Sequence, residues 1–144
     1  MLRICGVELT GSDAVVCLLG LEQGQFHLPE CRVRKLSLKK GYTREDLQQF
    51  QFSFAKLMED YGVDQVAIKE RMTKGKFAGG AISFKLEAAI QLVDAFDVML
   101  LNSATIKSTL AENPLPIPFS ETGLKVFQET AFTVAYVAQI LQGK

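Results

Sequence analysis

Apolar residues in the first 36 positions of the chain fall into three stretches that short polar turns separate. The stretches span residues 2–9, 14–21 and 25–36, and β-branched and aliphatic side chains dominate them. Thr10-Gly11-Ser12-Asp13 and Glu22-Gln23-Gly24 lie between them at lengths typical of hairpin turns. The pattern predicts an antiparallel meander of three strands.

The spacing of apolar residues changes to a helical period after residue 42. Thr43 is a suitable N-cap, and Asp46 three residues later completes a capping box. Gly62 ends the pattern, where a glycine commonly terminates a helix. The apolar face of this predicted helix comprises Leu47, Phe50, Phe54, Leu57, Met58 and Tyr61.

A strand, a helix and a second strand follow. Residues 64–69 form a short apolar run, a helix starts at about Gly80, and Val98–Leu101 is a further apolar run. Such a unit has parallel strands and a right-handed crossover, so the second half of the chain is predicted to be α/β. One stripe of the predicted helix carries Ile82, Leu86, Ala89, Ile90 and Val93.

A proline-rich connector precedes the last predicted helix. Asn113–Pro118 cannot continue a helix, because proline has no N–H to donate. We predict a final helix over Glu121–Leu141, with Ser120 as its N-cap. Its buried side is expected to carry Leu124, Phe127, Ala131, Val134, Ala135, Ala138 and Leu141.

The composition limits the classes of protein to which the chain can belong. Its 144 residues suit one domain with a single core, spanning residues 1–144. Sixteen Lys and Arg balance sixteen Asp and Glu, so no net field draws the molecule to nucleic acid or an anionic membrane. The apolar runs are shorter than the ~20 residues that cross a bilayer. Glu8 and Asp13 interrupt any secretion signal, so we expect a cytoplasmic protein with no membrane partner.

The cysteines and the single histidine favour no catalytic or metal site. Cys5, Cys17 and Cys31 lack the paired spacing of a zinc site and are expected to be reduced, buried thiols. His27 is expected to be a surface residue, since no Ser-His-Asp or Cys-His order is apparent.

Basic residues are concentrated in two segments of this neutral chain. Residues 69–80, Lys-Glu-Arg-Met-Thr-Lys-Gly-Lys-Phe-Ala-Gly-Gly, lead to a helix N-terminus and are suited to an anion such as phosphate. A solvated loop has the same composition. The basic charges of a second segment would keep an exposed edge strand from pairing with the strands of other molecules. Together the two segments would form a basic surface, for which a phosphate backbone is one candidate partner. The second segment carries Arg32, Arg34, Lys35, Lys39 and Lys40.

Three short motifs resemble those of RuvC-type Holliday-junction resolvases. Residues 5–12, Cys-Gly-Val-Glu-Leu-Thr-Gly-Ser, resemble the family's Gly-Ile-Asp-Pro-Gly-Ser opening. Residues 64–68 resemble the strand that ends in Ala-Ile-Glu, and residues 128–135 resemble the closing Asp-Ala-x-Asp-Ala-Leu-x-x-Ala helix. The resemblance implies an α/β, RNase H-like mixed five-stranded sheet, with three antiparallel strands followed by parallel strands and with helices on both faces. The chain also resembles a small bacterial family of uncharacterised proteins that share Lys-Gly-Lys-Phe-Ala-Gly-Gly, here residues 74–80.

The resemblance implies catalytic roles for Glu8, Glu70 and Glu129. In RNase H-like nucleases the first-strand carboxylate holds Mg²⁺ or Mn²⁺, and Glu8 takes that position. The family's second acid falls at Lys69, so Glu70 is the next carboxylate, on the opposite face of an extended strand. Glu129 matches the last helix but is expected to face solvent there, and Glu121 is an alternative. A Glu8–Lys69 ion pair would put an ammonium group in place of the metal.

A second resemblance concerns phosphate binding. Thr10-Gly11-Ser12 resembles the phosphate-gripping turn of actin-like ATPases and sugar kinases, which elaborate the same fold with two lobes where this chain supplies one. With the basic loop before the second helix, it defines the residues expected to contact phosphate. They are Thr10, Ser12, Lys69, Lys74, Lys76, Gly79 and Gly80.

Three functions remain open. We favour a non-catalytic or degenerate RNase H-like module that binds nucleic acid or a nucleotide. The first alternative is a nuclease that needs Mg²⁺ or Mn²⁺ and acts on structured nucleic acid. The second is a structural protein that forms a homodimer through an exposed Phe52. Lys69 in place of an acidic ligand weighs against the nuclease, and whether the chain is an enzyme is left open.

Overall fold

The structure is a computed structural model in which residues 2–74 and 79–143 are described. The strands are β1 (Leu2–Thr10), β2 (Asp13–Glu22), β3 (Gln25–His27), β4 (Lys35–Ser37), β5 (Gln65–Lys69) and β6 (Asp97–Leu101). The helices are α1 (Arg44–Asp60), α2 (Ala81–Gln91), α3 (Ser103–Glu112) and α4 (Glu129–Gln142).

The strands form one mixed sheet in the order β3-β2-β1-β5-β6, with β4 also paired to β2. Strands β1 and β2 are antiparallel along their whole length. Strands β1 and β5 are parallel, with Ile4 beside Gln65 and Val7 beside Ile68, and β6 continues the parallel part. The predicted class, antiparallel strands followed by parallel ones, is confirmed, although the described residues form six strands rather than five.

The additional strand arises because the third apolar stretch is not continuous. Strand β3 pairs with β2 opposite residues 20–22, and β4 pairs with it opposite residues 13–15. Between them the chain leaves the sheet at Leu28-Pro29, since proline has no N–H for a strand ladder. Residues 16–19 of β2 therefore have no strand partner on this side among residues 2–74 and 79–143, although the Val16 N–H donates to the Arg34 carbonyl at 2.9 Å.

Helices cover both faces of the sheet, as predicted. Alternate strand residues point to opposite faces, which gives two separate cores. Helices α1 and α2 cover the first face, whose buried residues include Cys5, Val7, Val16, Ile68, Phe54, Leu57, Leu86 and Ile90. Helices α3 and α4 cover the second face, whose buried residues include Ile4, Cys17, Leu19, Ala67, Leu101, Ile106, Ala131 and Ala135.

Helix α1 forms as the sequence predicts. The Thr43 side chain accepts a hydrogen bond from the Asp46 N–H at 3.1 Å, and the Asp46 carboxylate accepts one from the Thr43 N–H at 3.2 Å. This reciprocal capping box satisfies two donors at the helix start. Phe50 and Phe54 are buried, whereas Phe52 is 67% exposed. The dimer through Phe52 stays a prediction.

The C-terminal segment differs from the predicted helix over residues 121–141. Helix α4 begins only at Glu129, and residues 119–121 and 126–128 form two short 3-10 helices. Gly123 separates them with φ +79°, a conformation that interrupts a helix. Ser120 is therefore not the N-cap of α4, and Glu121 lies outside that helix. Phe127 is 47% exposed rather than part of the buried stripe.

Helix α3 was not predicted. Its N-cap is Asn102, whose side-chain oxygen accepts a hydrogen bond from the Thr105 N–H at 2.8 Å. The buried stripe of α3 is short and consists of Ile106 and Thr109, so the helical period in the sequence is weak. This helix lies directly after β6 and adds a second helix N-terminus near the end of the parallel strands.

Two of the three cysteines and the histidine lie as expected, whereas the free thiol Cys31 is only partly buried. Cys5 and Cys17 are buried free thiols, and burial raises the pKa of Cys17 to about 12. His27 is exposed on the edge strand β3. Across residues 2–74 and 79–143, no helix has the length and apolar character needed to span a membrane.

Helix α4 contacts the sheet most closely at Gly6 in the middle of β1. A Cβ atom at Gly6 would lie 2.0 Å from the Ala131 carbonyl oxygen and 2.7 Å from the Ala135 nitrogen. The helix backbone therefore occupies the volume of the missing side chain. The Gln139 side chain, one turn further along α4, donates to the Leu2 carbonyl at 3.0 Å and the Leu19 carbonyl at 2.8 Å.

Gly6→Ala is expected to lower the free energy of unfolding by about 3 kcal/mol or more, because the added methyl group overlaps helix backbone that cannot rotate away. Urea denaturation followed by circular dichroism measures this loss. Gly143→Ala is the matched control, since a Cβ there meets only the Ile140 carbonyl at 3.6 Å and the Gln139 carbonyl at 3.7 Å. Equal stability of the two variants would contradict the close contact at Gly6.

Candidate nucleic-acid interface

The carboxyl ends of the parallel strands meet at one edge of the sheet. Strand β1 ends at Thr10, β5 at Lys69 and β6 at Leu101. Helix α4 runs antiparallel to β1, because Ala131 and Ala135 pack on Gly6 whereas Gln139 reaches Leu2. The N-terminus of α4 is therefore directed toward the same edge, and α3 starts directly after β6. This edge collects side chains from five elements.

A groove of about 310 Å³ lies at this edge, on the face covered by α3 and α4. Lys69 reaches it from the end of β5, because Lys69 shares a strand face with Ala67 of the α4-side core. Lys107 contributes a second ammonium group, and Glu129 is the one carboxylate among the described lining residues. We call it the lysine groove, and it is lined by Lys69, Ser103, Ile106, Lys107, Glu129, Thr130, Thr133 and Val134.

Glu8 lies on the same face of the sheet as Lys69. Val7 pairs with Ile68 in the parallel β1–β5 ladder. One residue further along each strand, Glu8 is therefore next to Lys69. Glu8 is partly exposed. Within the described part of the chain, ion pairs join Arg32 to Asp60, Lys35 to Asp13, and Lys56 to Glu59 and Asp60, and none joins Glu8 to Lys69. The Glu8–Lys69 ion pair, which the sequence left open as an alternative to a metal role of Glu8, is therefore not formed.

Glu70 lies on the other face of the sheet. Its N–H donates to the Leu101 carbonyl at 2.9 Å, which extends the β5–β6 pairing, and its side chain is exposed. Its charge acts on Glu87 of α2, a helix that packs on the opposite face from α4. Glu70 therefore does not join Glu8 and Glu129.

The three predicted catalytic carboxylates do not form a metal site in the described residues. Glu8, Lys69 and Glu129 belong to the α4 face, whereas Glu70 lies on the α2 face. No group of three or more His, Cys, Asp or Glu side chains in residues 2–74 and 79–143 is arranged to hold a cation. These residues do not fit the Mg²⁺ or Mn²⁺ site that the resemblance implies, which needs several carboxylates on one centre.

The residues predicted to contact phosphate are divided between the two faces. Thr10 and Ser12 flank the turn between β1 and β2 at the carboxyl edge, and the Ser12 carbonyl accepts from the Leu38 N–H at 2.8 Å. The segment after Glu70 leads away toward α2. Lys74 is exposed there, and Lys76 lies outside the described residues.

Gly79 and Gly80 have structural roles in the same segment. The Gly79 N–H donates to the Met72 carbonyl at 2.7 Å, so this amide is already paired. A Cβ atom at Gly79 would lie 2.7 Å from Nε of Arg71, which shows that the glycine packs on that side chain. Gly80 is the N-cap of α2, and its carbonyl accepts from the Ser83 N–H at 3.1 Å.

Sequence reasoning missed Ser103 and Lys107 because helix α3 was not predicted. The available signal was Asn102, a suitable N-cap, followed by apolar Ile106 and Leu110 at helical spacing. Glu87 was also missed. It is only 8% exposed although it is charged, and burial, followed by the nearby Glu70, raises the pKa of its carboxyl, whereas Arg71 lowers it.

The sequence of this chain matches one family model over residues 2–138, described as protein of unknown function (DUF3010). The chain belongs to the DUF3010 family. A search of curated protein sequences finds no significant match.

The structure of this DUF3010 protein is similar to solved structures of Holliday junction resolvases. RuvC from Thermus thermophilus has a TM-score of 0.76 at 9% sequence identity, covering 99% of this chain and 96% of that chain. The same protein in complex with a Holliday junction substrate has a TM-score of 0.72 at 9% identity, with the same coverage. The fowlpox virus resolvase, in complex with Holliday junction DNA, has a TM-score of 0.56 at 13% identity and covers 97% of this chain and 99% of that chain. The predicted RuvC-like fold is confirmed.

Glu87→Gln is expected to raise the free energy of unfolding at pH 7. The pKa of Glu87 is raised in the folded state, so the wild-type protein loses stability as the pH rises from the unfolded value of about 4.3 through the folded value. Glutamine carries no charge and avoids this loss. The higher free energy of unfolding of the variant relative to the wild type is therefore expected to disappear below about pH 4. Urea denaturation across pH 4 to 8 measures it, with exposed Glu22→Gln as the control. A pH-independent difference would contradict the argument.

Proposed function

We propose that the chain is a single RNase H-like domain that binds nucleic acid without cleaving it. The lysine groove is the proposed contact for the phosphate backbone. The observation that carries this proposal is the position of Lys69. It ends the strand beside Glu8 and lines a groove that also contains Lys107, so a cation stands where a metal-dependent nuclease needs an acid.

The charges and donors of the lysine groove suit a phosphate group. Among its described lining residues, two ammonium groups outnumber one carboxylate, and the hydroxyl groups of Ser103 and Thr130 supply further donors. Helices α3 and α4 both begin at the groove, at Ser103 and Glu129. The dipoles of both helix starts favour an anion there, although the Glu129 N–H already donates to the Val126 carbonyl and the Thr105 N–H to the Asn102 side chain.

Comparison with known folds supports nucleic acid as the partner. The RuvC structure of similar fold was solved with a Holliday junction substrate, although its identity to this chain is 9%. Because the formal net charge of the chain is zero, attraction has to come from a local basic surface and to weaken strongly with salt. A four-way DNA junction, a duplex and a single strand are therefore the first ligands to compare.

The metal-dependent nuclease receives less support. Two-metal cleavage requires carboxylates that converge on both cations, whereas Glu70 lies across the sheet from Glu8 and Glu129. The ammonium group of Lys69 would also repel a cation bound at the strand end. The arrangement is better suited to holding a phosphate than to hydrolysing it.

The double variant Lys69→Ala, Lys107→Ala is expected to weaken binding by about tenfold or more at low salt. It is also expected to reduce the slope of log K against log salt by about 2, since each lysine that contacts a phosphate contributes about 1. Fluorescence anisotropy with labelled junction, duplex and single strand measures both quantities. Lys56→Ala is the control, because Lys56 lies on α1 across the sheet and pairs with Glu59 and Asp60. An unchanged slope in the double variant would overturn the proposal.

Glu129→Gln is expected to strengthen binding by about twofold to fivefold, because it removes a carboxylate from the lysine groove and a partly solvated charge contributes ~0.5–1 kcal/mol. Glu121→Gln, an exposed carboxylate outside α4, is the control. A metal-dependent nuclease would behave differently, since Glu129→Gln would abolish its cleavage of junction DNA in Mn²⁺. Loss of cleavage would therefore support the nuclease and refute the binding module.

A further inference from the structure

A cavity of about 460 Å³ opens beside β2, where the sheet edge has no strand partner. It lies between the connector over residues 28–34 and the segment over residues 122–128. Leu18 of β2 lies in the gap between the β3 and β4 pairings and lines the cavity. Other lining residues include Cys17, Arg34, Thr122, Leu124 and Gln128. The size is in the range of about 300–1,000 Å³ found for small-ligand sites.

Phe127 and Lys35 do not line this cavity but lie next to its lining residues in the chain. Each is the direct chain neighbour of a lining residue, Gln128 and Arg34 respectively. The Lys35 ammonium lies 5.9 Å from the centre of the Phe127 ring, within cation–π range. The ring is nevertheless 47% exposed. An exposed aromatic ring beside a cation is the arrangement on which nucleobases stack in single-strand binding proteins.

The next residue, Gln128, fixes the position of Phe127. Gln128 is buried, and its side chain donates to the Val16 carbonyl at 3.0 Å and accepts from the Lys125 N–H at 3.0 Å. The short 3-10 helix that carries Phe127 is thereby tied to β2 and closed on its own N-cap, Lys125, and its last residue Gln128 is also the N-cap of α4. A stacking surface held in this way loses little conformational entropy when a base binds.

We propose that Phe127 stacks against an unpaired nucleobase beside this cavity, with Lys35, which also pairs with Asp13, and Arg34 near the adjoining phosphate. The inference rests on the proposed function and specifies its ligand as nucleic acid with unpaired bases, because a base paired within a duplex cannot lie flat on the ring.

Phe127 and the lysine groove are close together in the chain. Glu129 lines the groove and is two residues from Phe127. One strand of nucleic acid can therefore place a phosphate in the groove and a base on Phe127, across the start of α4. Both contacts lie at the carboxyl edge of the sheet.

The absence of tryptophan from the chain provides a direct test. Phe127→Trp introduces one tryptophan at the stacking surface, and we expect unlabelled oligothymidine to quench its fluorescence saturably. Phe52→Trp is the matched control, since Phe52 is 67% exposed on α1 across the sheet. No quenching is expected there.

Affinity measurements supply the second readout. Phe127→Ala is expected to weaken single-strand binding by about tenfold, within the range for loss of one stacked base, and to leave duplex binding and its salt slope unchanged. Phe127→Trp should retain the wild-type affinity. If Phe127→Ala does not fold by circular dichroism, fluorescence quenching in the Phe127→Trp variant alone decides.

The outcomes separate the two proposals. If Phe127→Trp still binds through Lys69 and Lys107 but its tryptophan is not quenched, the stacking inference is overturned and the phosphate groove stays intact. Equal loss of single-strand and duplex binding in Phe127→Ala would also overturn the stacking inference. If the wild-type protein binds no nucleic acid at low salt, both proposals fail.

Discussion

The contact between the backbone of α4 and Gly6 of β1 determines where the candidate site can form. A helix lies this close to a sheet only where no side chain intervenes, and the Ala131 carbonyl fills the space that a Cβ atom would need. Hydrogen bonds from Gln128 to β2 and from Gln139 to β1 and β2 prevent the helix from sliding along the strand. The start of α4 is therefore directed to the edge at which β1 and β5 end.

The parallel pairing of β1 with β5 supplies the other half of that site. It places Glu8 and Lys69 in adjacent register positions on one face and turns Glu70 to the other face. The end of β5 therefore carries the cation Lys69, where the resemblance to resolvases implied an acidic residue. A fold shared with nucleases does not carry their chemistry with it, because chemistry depends on which side chains the frame brings together. Here two lysines and one glutamate meet at two helix starts.

The break in the C-terminal segment before α4 also changes which side chains reach the surface. A continuous helix from residue 121 would have buried Phe127 in the stripe against the sheet. Gly123 interrupts it, and buried Gln128 replaces Phe127 as the residue that contacts β2. The aromatic ring is left at the surface beside Lys35. A local break in secondary structure thus converts a predicted core residue into an exposed one.

The sequence by itself determined the mixed sheet, most of the element types, the capping box of α1 and the burial of Cys5 and Cys17. These features depend on short-range patterns of apolar period, turns and caps, which a sequence displays directly. It also located Glu8 and the cation at Lys69, since strand alternation assigns faces residue by residue. Only the tertiary structure decided that Lys69 meets Lys107 and Glu129 and that Phe127 is exposed. These outcomes depend on packing between segments far apart in the chain, for which no local pattern in one sequence carries a signal.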